Sequence, residues 1–302
     1  MRIGVTGCTG FIGREVVRRA LAGGHEVVGY SRRRDVTVPG VVAMRDFDIG
    51  RGIDVGELDG MVHLAGESVL GRWTRRKRAR ILESRRDGTR AVVEAMGRVA
   101  NGPRVLVSAS AIGIYGNRGD EVLTERSSEG VGFLADVVRS WEAEAACAED
   151  AGVRVAKMRI GFVLGRGGAG AAMLRWLFSN GLGGRIGTGK QWMSWVHVAD
   201  VAGLMVSALE DEGVSGVTNV VAPGVVRNVE FTKVVASKMG KPAVLPVPAM
   251  ALRLALGDAS SLMLGSQRVA PEAALGRGYR YQFGELGGAV EEALVSQVEK
   301  MG

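Results

Sequence analysis

The residues with the clearest chemistry lie in a glycine-rich segment near the N-terminus. The run from Thr6 to Gly13 has the spacing G-x-x-G-x-x-G and stands between an apolar β-type run and an amphipathic stretch. Glycines permit a tight turn, and the N-terminus of the following helix offers free N–H groups to a pyrophosphate. The segment therefore predicts a dinucleotide site, and a flexible turn without a ligand is the alternative. The predicted contacts are Gly7, Thr9, Gly10, Phe11, Ile12 and Gly13.

The end of the second apolar run decides which dinucleotide is preferred. An Asp or Glu at this position would accept a hydrogen bond from the ribose 2′-hydroxyl of NAD, whereas a cation binds the 2′-phosphate of NADP. The chain reads Tyr30, Ser31, Arg32, Arg33 and Arg34 and offers no acid here. Ser31 and Arg32 are therefore predicted to hold the phosphate, which favours NADP(H). Arginines that simply end the strand in solvent are the alternative.

A second glycine-rich segment resembles a nucleotide triphosphate loop only in part. The run from Gly184 to Gln191 nearly matches G-x-x-x-x-G-K-S/T, but Gln191 replaces the hydroxyl that would bind magnesium. The segment also precedes a predicted strand, whereas the motif opens a helix. A loop that lines the substrate cleft is the preferred interpretation, with Lys190, Gln191 and Trp192 available to a ligand.

His197 and Asp200 form a possible polar pair. A histidine can carry a proton because its ordinary pKa lies near neutrality. The other interpretation is structural, with the imidazole bonded to a backbone carbonyl or to Asp200. The three histidines and two cysteines show no metal-ligand spacing, so no metal is expected. Cys8 lies inside the glycine turn and is interpreted as a small packing residue.

Alternating β-type and helical patterns supply the elements that position these residues. Such alternation predicts a parallel sheet covered by helices on both faces, that is, a doubly wound α/β Rossmann fold. About six parallel strands are expected before residue 160. Predicted strands are Ile3 to Thr6, Glu26 to Tyr30, Val41 to Met44, Met61 to Ala65, Val105 to Ser108 and Val153 to Met158. Predicted helices are the stretch ending at Gly23 and Gly24, Arg75 to Val99, and Phe133 to Ala151.

The composition of the chain changes after Leu164, where glycine becomes frequent. Predicted elements here are a short helix over Met173 to Phe178, a strand over Trp192 to Val196, and helices over Val198 to Leu209, Ala249 to Leu256 and Leu286 to Val298. We predict a Rossmann domain from residues 1–165 with 190–222. A small substrate-side lobe is predicted from residues 166–189 with 223–302.

Composition bounds the class of protein. The 302 residues can bury a large core, and two distant cysteines favour a reducing compartment, so a cytoplasmic location is expected. Neither a secretory leader nor a membrane span is evident. The net charge of +7 suits an anionic partner. The basic run from Arg72 to Arg80 lacks the motifs of nucleic-acid readers, so a solvated helix face that attracts a phosphorylated ligand is preferred.

Together these segments resemble the short-chain dehydrogenase/reductase superfamily, within it the atypical epimerase-family group related to SulA-like nucleotide-sugar epimerases. The resemblance spans nearly the whole chain, and the tail is similar to the small C-terminal domain of unknown function that accompanies this group. Its marks, besides the glycine turn and Ser31–Arg32, are Leu64–Glu67, Ser84–Arg85, Ser108–Ala111, Tyr115–Gly116, Trp141–Glu142, Arg159–Gly161, Gly183–Gly184, Gln191–Trp192, Ser194–His197, Asn219, Ala222–Pro223 and Leu245–Pro248.

The resemblance implies an extended-type Rossmann fold with further site residues. Cofactor contacts are expected from Leu64, Ala65, Gly66, Glu67, Arg85, Ser108 and Arg159. Ser110 stands where the superfamily keeps its active-site serine. The superfamily's tyrosine, aided by a lysine four residues later, has no counterpart, because none of the four tyrosines precedes a lysine at that spacing. The helix where the pair belongs reads Phe133 to Val138, with apolar side chains at both positions.

Two functions from different classes follow. The first is an NADP(H)-dependent oxidoreductase or epimerase-like enzyme that acts on a small polar or sugar-like substrate. Proton transfer would then fall to Ser110, Glu67, Tyr115, His197 or a bound water. The second is a catalytically silent NADP(H)-binding protein whose occupancy signals redox state. Fold alone does not choose between them.

Overall fold

The computed structural model describes residues 1–33, 35–243 and 245–295. Its strands, in chain order, are β1 (Arg2–Thr6), β2 (Glu26–Ser31), β3 (Ala43–Asp46), β4 (Gly60–His63), β5 (Val105–Ala111), β6 (Val122–Leu123), β7 (Arg154–Ile160), β8 (Phe162–Leu164), β9 (Trp192–Met193), β10 (Trp195–His197), β11 (Gly216–Val220), β12 (Val226–Arg227) and β13 (Arg268–Val269). The helices are α1 (Phe11–Ala22), α2 (Arg75–Arg98), α3 (Phe133–Ala146), α4 (Ala169–Ser179), α5 (Val198–Glu210), α6 (Asn228–Met239), α7 (Ala249–Leu256), α8 (Ser261–Leu264), α9 (Glu272–Gly276) and α10 (Leu286–Val290).

A parallel sheet of seven strands forms the centre of the molecule, in the order β3-β2-β1-β4-β5-β7-β11. Every neighbouring pair is parallel. The order reverses between β1 and β4, and the crevice outside the carboxyl ends of the strands at such a reversal is where doubly wound sheets bind ligands. The predicted Rossmann fold is confirmed.

Helices cover both faces of the sheet because each buries an apolar stripe against it. On one face α1 and α5 pack together, with Val16 and Met205 in one core with Ile3 and Val5 of β1. On the other face α2 and α3 pack together and bury Val92 and Ala145 against the opposite side chains of the strands.

A separate apolar core lies among the later elements. It joins Phe178 of α4, Phe231 and Val235 of α6, and Leu286 and Val290 of α10. These segments belong to the lobe that the sequence assigns to the substrate side. The boundaries at residues 165, 189 and 222 stay a prediction.

Several element boundaries differ from the predicted ones for local reasons. β4 ends at His63, because the amides of Leu64 and Ala65 donate to the side chain of Thr6. β3 begins at Ala43, after the amide of Val41 closes a turn onto the carbonyl of Val38.

Other boundaries shift in the same way. The predicted strand over Trp192 to Val196 is divided at Ser194, whose hydroxyl donates to the carbonyl of Gln267. The helix predicted to end at Ala151 tightens to a 3₁₀ turn over Cys147–Ala151. β11 was not predicted. The last predicted helix is observed as α10 and a π-helical turn over Glu291–Val295, and its final residues 296–298 lie outside the described residues.

In the described parts of the chain, no helix combines the length and the apolar character that a bilayer crossing requires.

Candidate functional site

The turn between β1 and α1 leaves several backbone amides without side-chain partners among the described residues. Gly7 has φ +68, and the amide of Gly10 donates to its carbonyl at 2.9 Å. A Cβ at Gly13 would collide with the same carbonyl, so the turn requires glycine there. Gly10 is the N-cap of α1, with no side-chain cap and no acidic residue in the first turn. The first-turn amides therefore face outward as donors that no side chain described here accepts.

The remaining residues predicted in this turn flank the same amides. Thr9 is half-buried, and its carbonyl accepts a hydrogen bond from Nε of Arg14 at 3.1 Å. Phe11 and Ile12 are half-buried at the start of α1, and the glycine-rich segment near Gly168 packs against the ring of Phe11. Cys8 is fully buried, as its interpretation as a packing residue requires.

Thr6 joins the glycine turn to the end of β4. Its Oγ1 accepts hydrogen bonds from the amides of Leu64 at 3.0 Å and Ala65 at 3.1 Å. This arrangement holds the segment from Leu64 to Glu67 beside Gly7. The structure thus brings Thr6, at the start of the glycine turn, to the end of β4, which lies 57 positions later in the chain.

A free guanidinium stands at the end of β2. Ser31 Oγ accepts a hydrogen bond from the amide of Arg33 at 3.1 Å, which fixes the start of the following loop. Arg32 is exposed, and its side chain makes no hydrogen bond or ion pair with any residue that the structure describes. Its charge reaches Glu67 and helps to lower the pKa of that carboxyl. Arg34 lies outside the described residues.

Glu67 is surrounded by cations. Its carboxylate accepts a hydrogen bond from Nζ of Lys77 at 2.7 Å and lies 3.5 Å from Arg80. The hydrogen bond from Lys77 is the main cause that lowers the pKa of Glu67. A carboxylate of this kind accepts hydrogen bonds but is a poor proton donor at neutral pH. In the predicted proton transfer, Glu67 could therefore act only as the group that accepts the proton.

Arg85 lies on α2 against the loop that follows β4. Its Nη1 donates to the carbonyls of Glu67 at 2.9 Å and Ile81 at 3.2 Å. Its guanidinium lies 5.1 Å from the ring of Trp141. Burial lowers the pKa of Arg85 to about 10, because the charged form loses water. The predicted contacts at Gly66 and Arg85 are thus neighbours.

A buried hydrogen-bond network surrounds Ser110 at the end of β5. Ser110 donates to Oε1 of Glu142 at 2.5 Å, and Arg159 donates to both oxygens of Glu142 at 2.8 Å. Burial alone would lower the pKa of Arg159, but the hydrogen bonds and charge of Glu142 outweigh it and raise the pKa above its ordinary value. Glu142, for which the sequence predicts no role, lies at the centre of this network.

The network continues to Tyr115, whose side chain is fully buried. The Tyr115 hydroxyl donates to Oδ1 of Asn219 at 2.7 Å and accepts from Nη1 of Arg159 at 3.0 Å. Burial raises the pKa of Tyr115. Ser108, also buried, donates to the carbonyl of Ala109. Arg159 thus faces this network, and a contact of Arg159 or Ser108 with a cofactor stays a prediction.

The start of α3 carries no proton-transfer pair. The segment Phe133 to Val138, where the superfamily's tyrosine and lysine are expected, places the side chains of Phe133, Leu134, Val137 and Val138 in apolar clusters. From α3, Glu142 reaches the network around Ser110.

His197 holds the start of α5. Its Nδ1 accepts a hydrogen bond from the amide of Ala199 at 3.2 Å, and its Nε2 lies 2.9 Å from a carboxylate oxygen of Glu292. His197 therefore has the predicted structural role, but its partners are the amide of Ala199 and Glu292, and not a backbone carbonyl or Asp200. Asp200, in the first turn of α5, instead accepts hydrogen bonds from the amides of Gln282 at 2.7 Å and Phe283 at 3.0 Å.

The segment from Gly184 to Gln191 leads into β9 and not into a helix. Nε2 of Gln191 donates to the carbonyls of Ile186 and Met263, both at 3.2 Å, so this side chain ties the loop to α8. Lys190 remains exposed beside it. Among the described residues, no group of three or more His, Cys, Asp or Glu side chains is placed to hold a metal ion.

Comparison with known families matches two segments. Residues 3–222 match the model of the NAD dependent epimerase/dehydratase family. Residues 247–293 match a domain of unknown function, DUF1731.

Individual relatives match over nearly the whole chain. The epimerase family protein YfhF of Bacillus subtilis is 35% identical over 302 residues, which cover 98% of this chain and 99% of that protein. The crystal structure of human epimerase family protein SDR39U1 (isoform 2) with NADPH superposes with a TM-score of 0.90 at 34% identity, covering 97% of this chain and 99% of that chain.

A bacterial structure shares the fold within a longer protein. The nucleoside-diphosphate sugar epimerase of Corynebacterium glutamicum superposes with a TM-score of 0.80 at 34% identity. The match covers 97% of this chain and 58% of that chain.

Proposed function

This chain belongs to the NAD dependent epimerase/dehydratase family, and we propose that it binds NADP(H) and uses it in an oxidoreductase or epimerase-like reaction on a small polar or sugar-like substrate. The observation that carries the proposal is the turn from Gly7 to Gly13, where glycine is required at Gly13 and no described side chain caps the amides of α1. NADPH bound to the human relative supports the choice of cofactor.

The residues around the turn fit the two charged parts of the cofactor. The first-turn amides of α1 would bind the pyrophosphate, since they combine free donors with the positive end of the helix dipole. Ser31 and the guanidinium of Arg32, which has no partner among the residues described, would bind the 2′-phosphate. The segment Leu64 to Glu67, fixed by Thr6, would line the side of the cofactor.

The bound cofactor would supply or accept a hydride, and the chain would orient the substrate. The Ser110 hydroxyl donates its hydrogen bond to Glu142, so the lone pairs of its Oγ would accept from a substrate hydroxyl. Arg159 holds Glu142 in place and keeps Ser110 in one orientation. Proton transfer stays assigned by prediction to Ser110, Tyr115, Glu67, His197 or a water.

One observation favours the catalytically silent alternative. The hydroxyl protons of Ser110 and Tyr115 are both donated to protein acceptors, and His197 is held by its own helix and Glu292. A site whose polar groups satisfy one another can bind a cofactor and signal its presence without turnover. The cytoplasmic location, and the expectation of a small-molecule partner with no nucleic acid or membrane, belong to the proposal in either form.

Cofactor binding is tested by titrating purified protein with NADPH and following nicotinamide fluorescence. Gly10→Val should abolish binding, because the side chain would enter the pyrophosphate site. Gly97→Val is the matched control, since Gly97 on α2 faces open space. Equal NADPH affinity in Gly10→Val and wild type would rule out the assigned turn.

Turnover is tested separately with a panel of substrates, with aldehydes and ketones in the presence of NADPH and with nucleotide sugars in the presence of NADP⁺. Cofactor consumption or epimerised product with any member supports the enzyme. Tight NADPH binding without turnover across the panel favours the silent alternative.

A further inference from the structure

Helix α7 carries apolar side chains on all of its sides although it lies at the surface. The stretch from Ala249 to Leu256 has one charged residue, Arg253, and none of its residues is buried. Met250 and Leu254, one turn apart on the same side of the helix, are 64% and 73% exposed. A helix that is apolar all round is ordinarily enclosed in a core or in a membrane. These side chains therefore point to a contact outside the chain.

The exposed apolar surface continues from α7 into the loop that precedes β9. The amide of Val247 donates to the carbonyl of Arg185 at 2.8 Å. The carbonyl of Leu245 lies against Gly184, with no room for a side chain there. This pairing brings the segment of Leu182 beside that of Leu245, and both leucine side chains are exposed. We call the exposed apolar residues of this region the apolar edge: Leu182, Leu245, Met250 and Leu254.

The two segments that carry the apolar edge have cations and no acids. Residues 151–199 and 231–257 contain no Asp or Glu. Arg185 and Arg253 are exposed within them, close in sequence to the apolar side chains. A surface of this kind disfavours a second copy of the chain, because the same cations would meet in a symmetric contact. It is complementary to an anionic partner.

The basic run of α2 extends this positive surface beyond the end of α7. A Cβ at Gly257 would lie 3.9 Å from Nε of Arg72, so the two segments are in contact. Asp258, the first acid after α7, is paired with Arg78 at 2.7 Å. Arg72 and the first residues of α2 are exposed. Exposed cations therefore lie near both ends of the apolar helix.

We propose that the apolar edge is a site of peripheral contact with an anionic lipid surface. The Leu and Met side chains enter the boundary between headgroups and acyl chains, while the arginines beside them bind anionic headgroups. A nucleic acid would satisfy the arginines but leave the apolar side chains in water. In this contact α7 lies along the bilayer and does not cross it. The inference goes beyond the proposed function and replaces its expectation of no membrane partner.

The test is co-sedimentation of the purified protein with vesicles of phosphatidylcholine, with or without phosphatidylserine. We expect binding to the vesicles that contain phosphatidylserine, and weaker binding when salt screens the arginines. Met250→Gln with Leu254→Gln should weaken this binding about tenfold or more, since two apolar side chains no longer leave water. Glutamine is a good helix former, so α7 is kept. Arg185→Gln with Arg253→Gln should lower the preference for phosphatidylserine.

Val42→Gln with Leu275→Gln is the matched control, because both are exposed apolar residues outside the apolar edge. Circular dichroism and urea unfolding establish that each variant keeps the fold, so the result does not depend on NADPH binding. The proposal is overturned if wild type does not bind the phosphatidylserine vesicles, which would leave an acidic protein as the occupant. Equal binding by wild type and the Met250 and Leu254 variant also overturns it. A wild-type dimer that this variant loses in sedimentation velocity would instead assign the edge to a second copy.

Discussion

At the scale of single residues, cofactor selectivity is concentrated in Arg32. Its guanidinium is exposed and unpaired among the described residues, so no internal bond must break when a 2′-phosphate binds. A hydrogen bond to a charged group contributes about 1.5 to 3 kcal/mol. Arg32→Ala should therefore lower the ratio of NADPH to NADH affinity about tenfold or more.

Fluorescence titration of wild type and Arg32→Ala with both cofactors gives this ratio. Arg98→Ala is the control, because Arg98 is an exposed arginine at the far end of α2. An unchanged ratio in Arg32→Ala would assign the selectivity to another group.

The neutral state of His63 predicts a pH dependence of stability. Burial, with a smaller contribution from the charge of Arg85, lowers the pKa of His63 from 6.5 to about 4 in the folded protein. The unfolded chain therefore binds a proton between these values while the folded protein does not, and the free energy of unfolding falls as the pH falls. This single group should remove about 2 kcal/mol of stability between about pH 7.5 and about pH 5.

Urea unfolding at both pH values, in wild type and His63→Asn, measures the effect. The difference between the two proteins isolates His63 from the carboxylates that also titrate. We expect the loss of stability on acidification to be about 2 kcal/mol smaller in His63→Asn. The same loss in both proteins would mean that His63 is protonated in the folded state.

Residue-level prediction from sequence works where the reason is local. The glycine turn could be predicted because the strand, the glycines and the helix follow one another. The partners of Ser110 and Tyr115 could not, since Glu142 is 32 residues and Asn219 is 104 residues away. The same holds for His197, whose partner is Glu292 and not the nearby Asp200. Only the fold brings these groups together.

At the scale of elements, the pair of Glu142 and Arg159 joins α3 to β7. Both side chains are nearly buried, at 10% and 6% exposure, and each would be left with unpaired polar atoms without the other. Removing one partner of a buried pair costs about 3 to 5 kcal/mol, because the other charge stays buried. Glu142→Gln should lower the free energy of unfolding by about this amount.

Urea unfolding compares Glu142→Gln with Glu144→Gln on the same helix. Glu144 pairs with Arg90, whose side chain is 49% exposed, so its loss should cost less than about 1 kcal/mol. Similar losses in the two variants would show that the network around Ser110 contributes little to stability.

The positions of strands with strong apolar runs could be predicted from the sequence, whereas the positions of elements fixed by distant contacts could not. β1, β2 and β5 have continuous apolar character and were placed to within three residues. β11 has the mixed sequence Gly-Val-Thr-Asn-Val, and it becomes a strand because it pairs with β7 at the edge of the sheet. A pairing partner 60 residues earlier leaves no local signal.

At the scale of the whole molecule, the net charge of +7 is distributed unevenly. The first turn of α2 carries several cations and no acid, although the positive end of a helix dipole disfavours them. Lys77 and Arg80 contact Glu67, which in turn lies near Arg32. The basic turn therefore flanks the proposed site of the 2′-phosphate, where its positive potential attracts an anionic cofactor.

This arrangement predicts that NADPH association depends on salt. Stopped-flow fluorescence should show the association rate constant falling several-fold between about 20 mM and about 300 mM NaCl, since salt screens the attraction. Exposed Arg75 and Arg76 make no hydrogen bond or ion pair with the residues described, so Arg75→Glu with Arg76→Glu should lower the rate at low salt without breaking an internal contact.

The control carries the same change of net charge elsewhere, as Lys241→Glu with Arg280→Glu, because both residues are exposed and lie outside α2. If position matters, only the α2 variant loses most of its salt dependence, while its dissociation rate constant stays near that of wild type. Equal effects of the two double variants would show that NADPH responds to net charge alone. The basic face of α2 would then have no part in guiding the cofactor to the glycine turn.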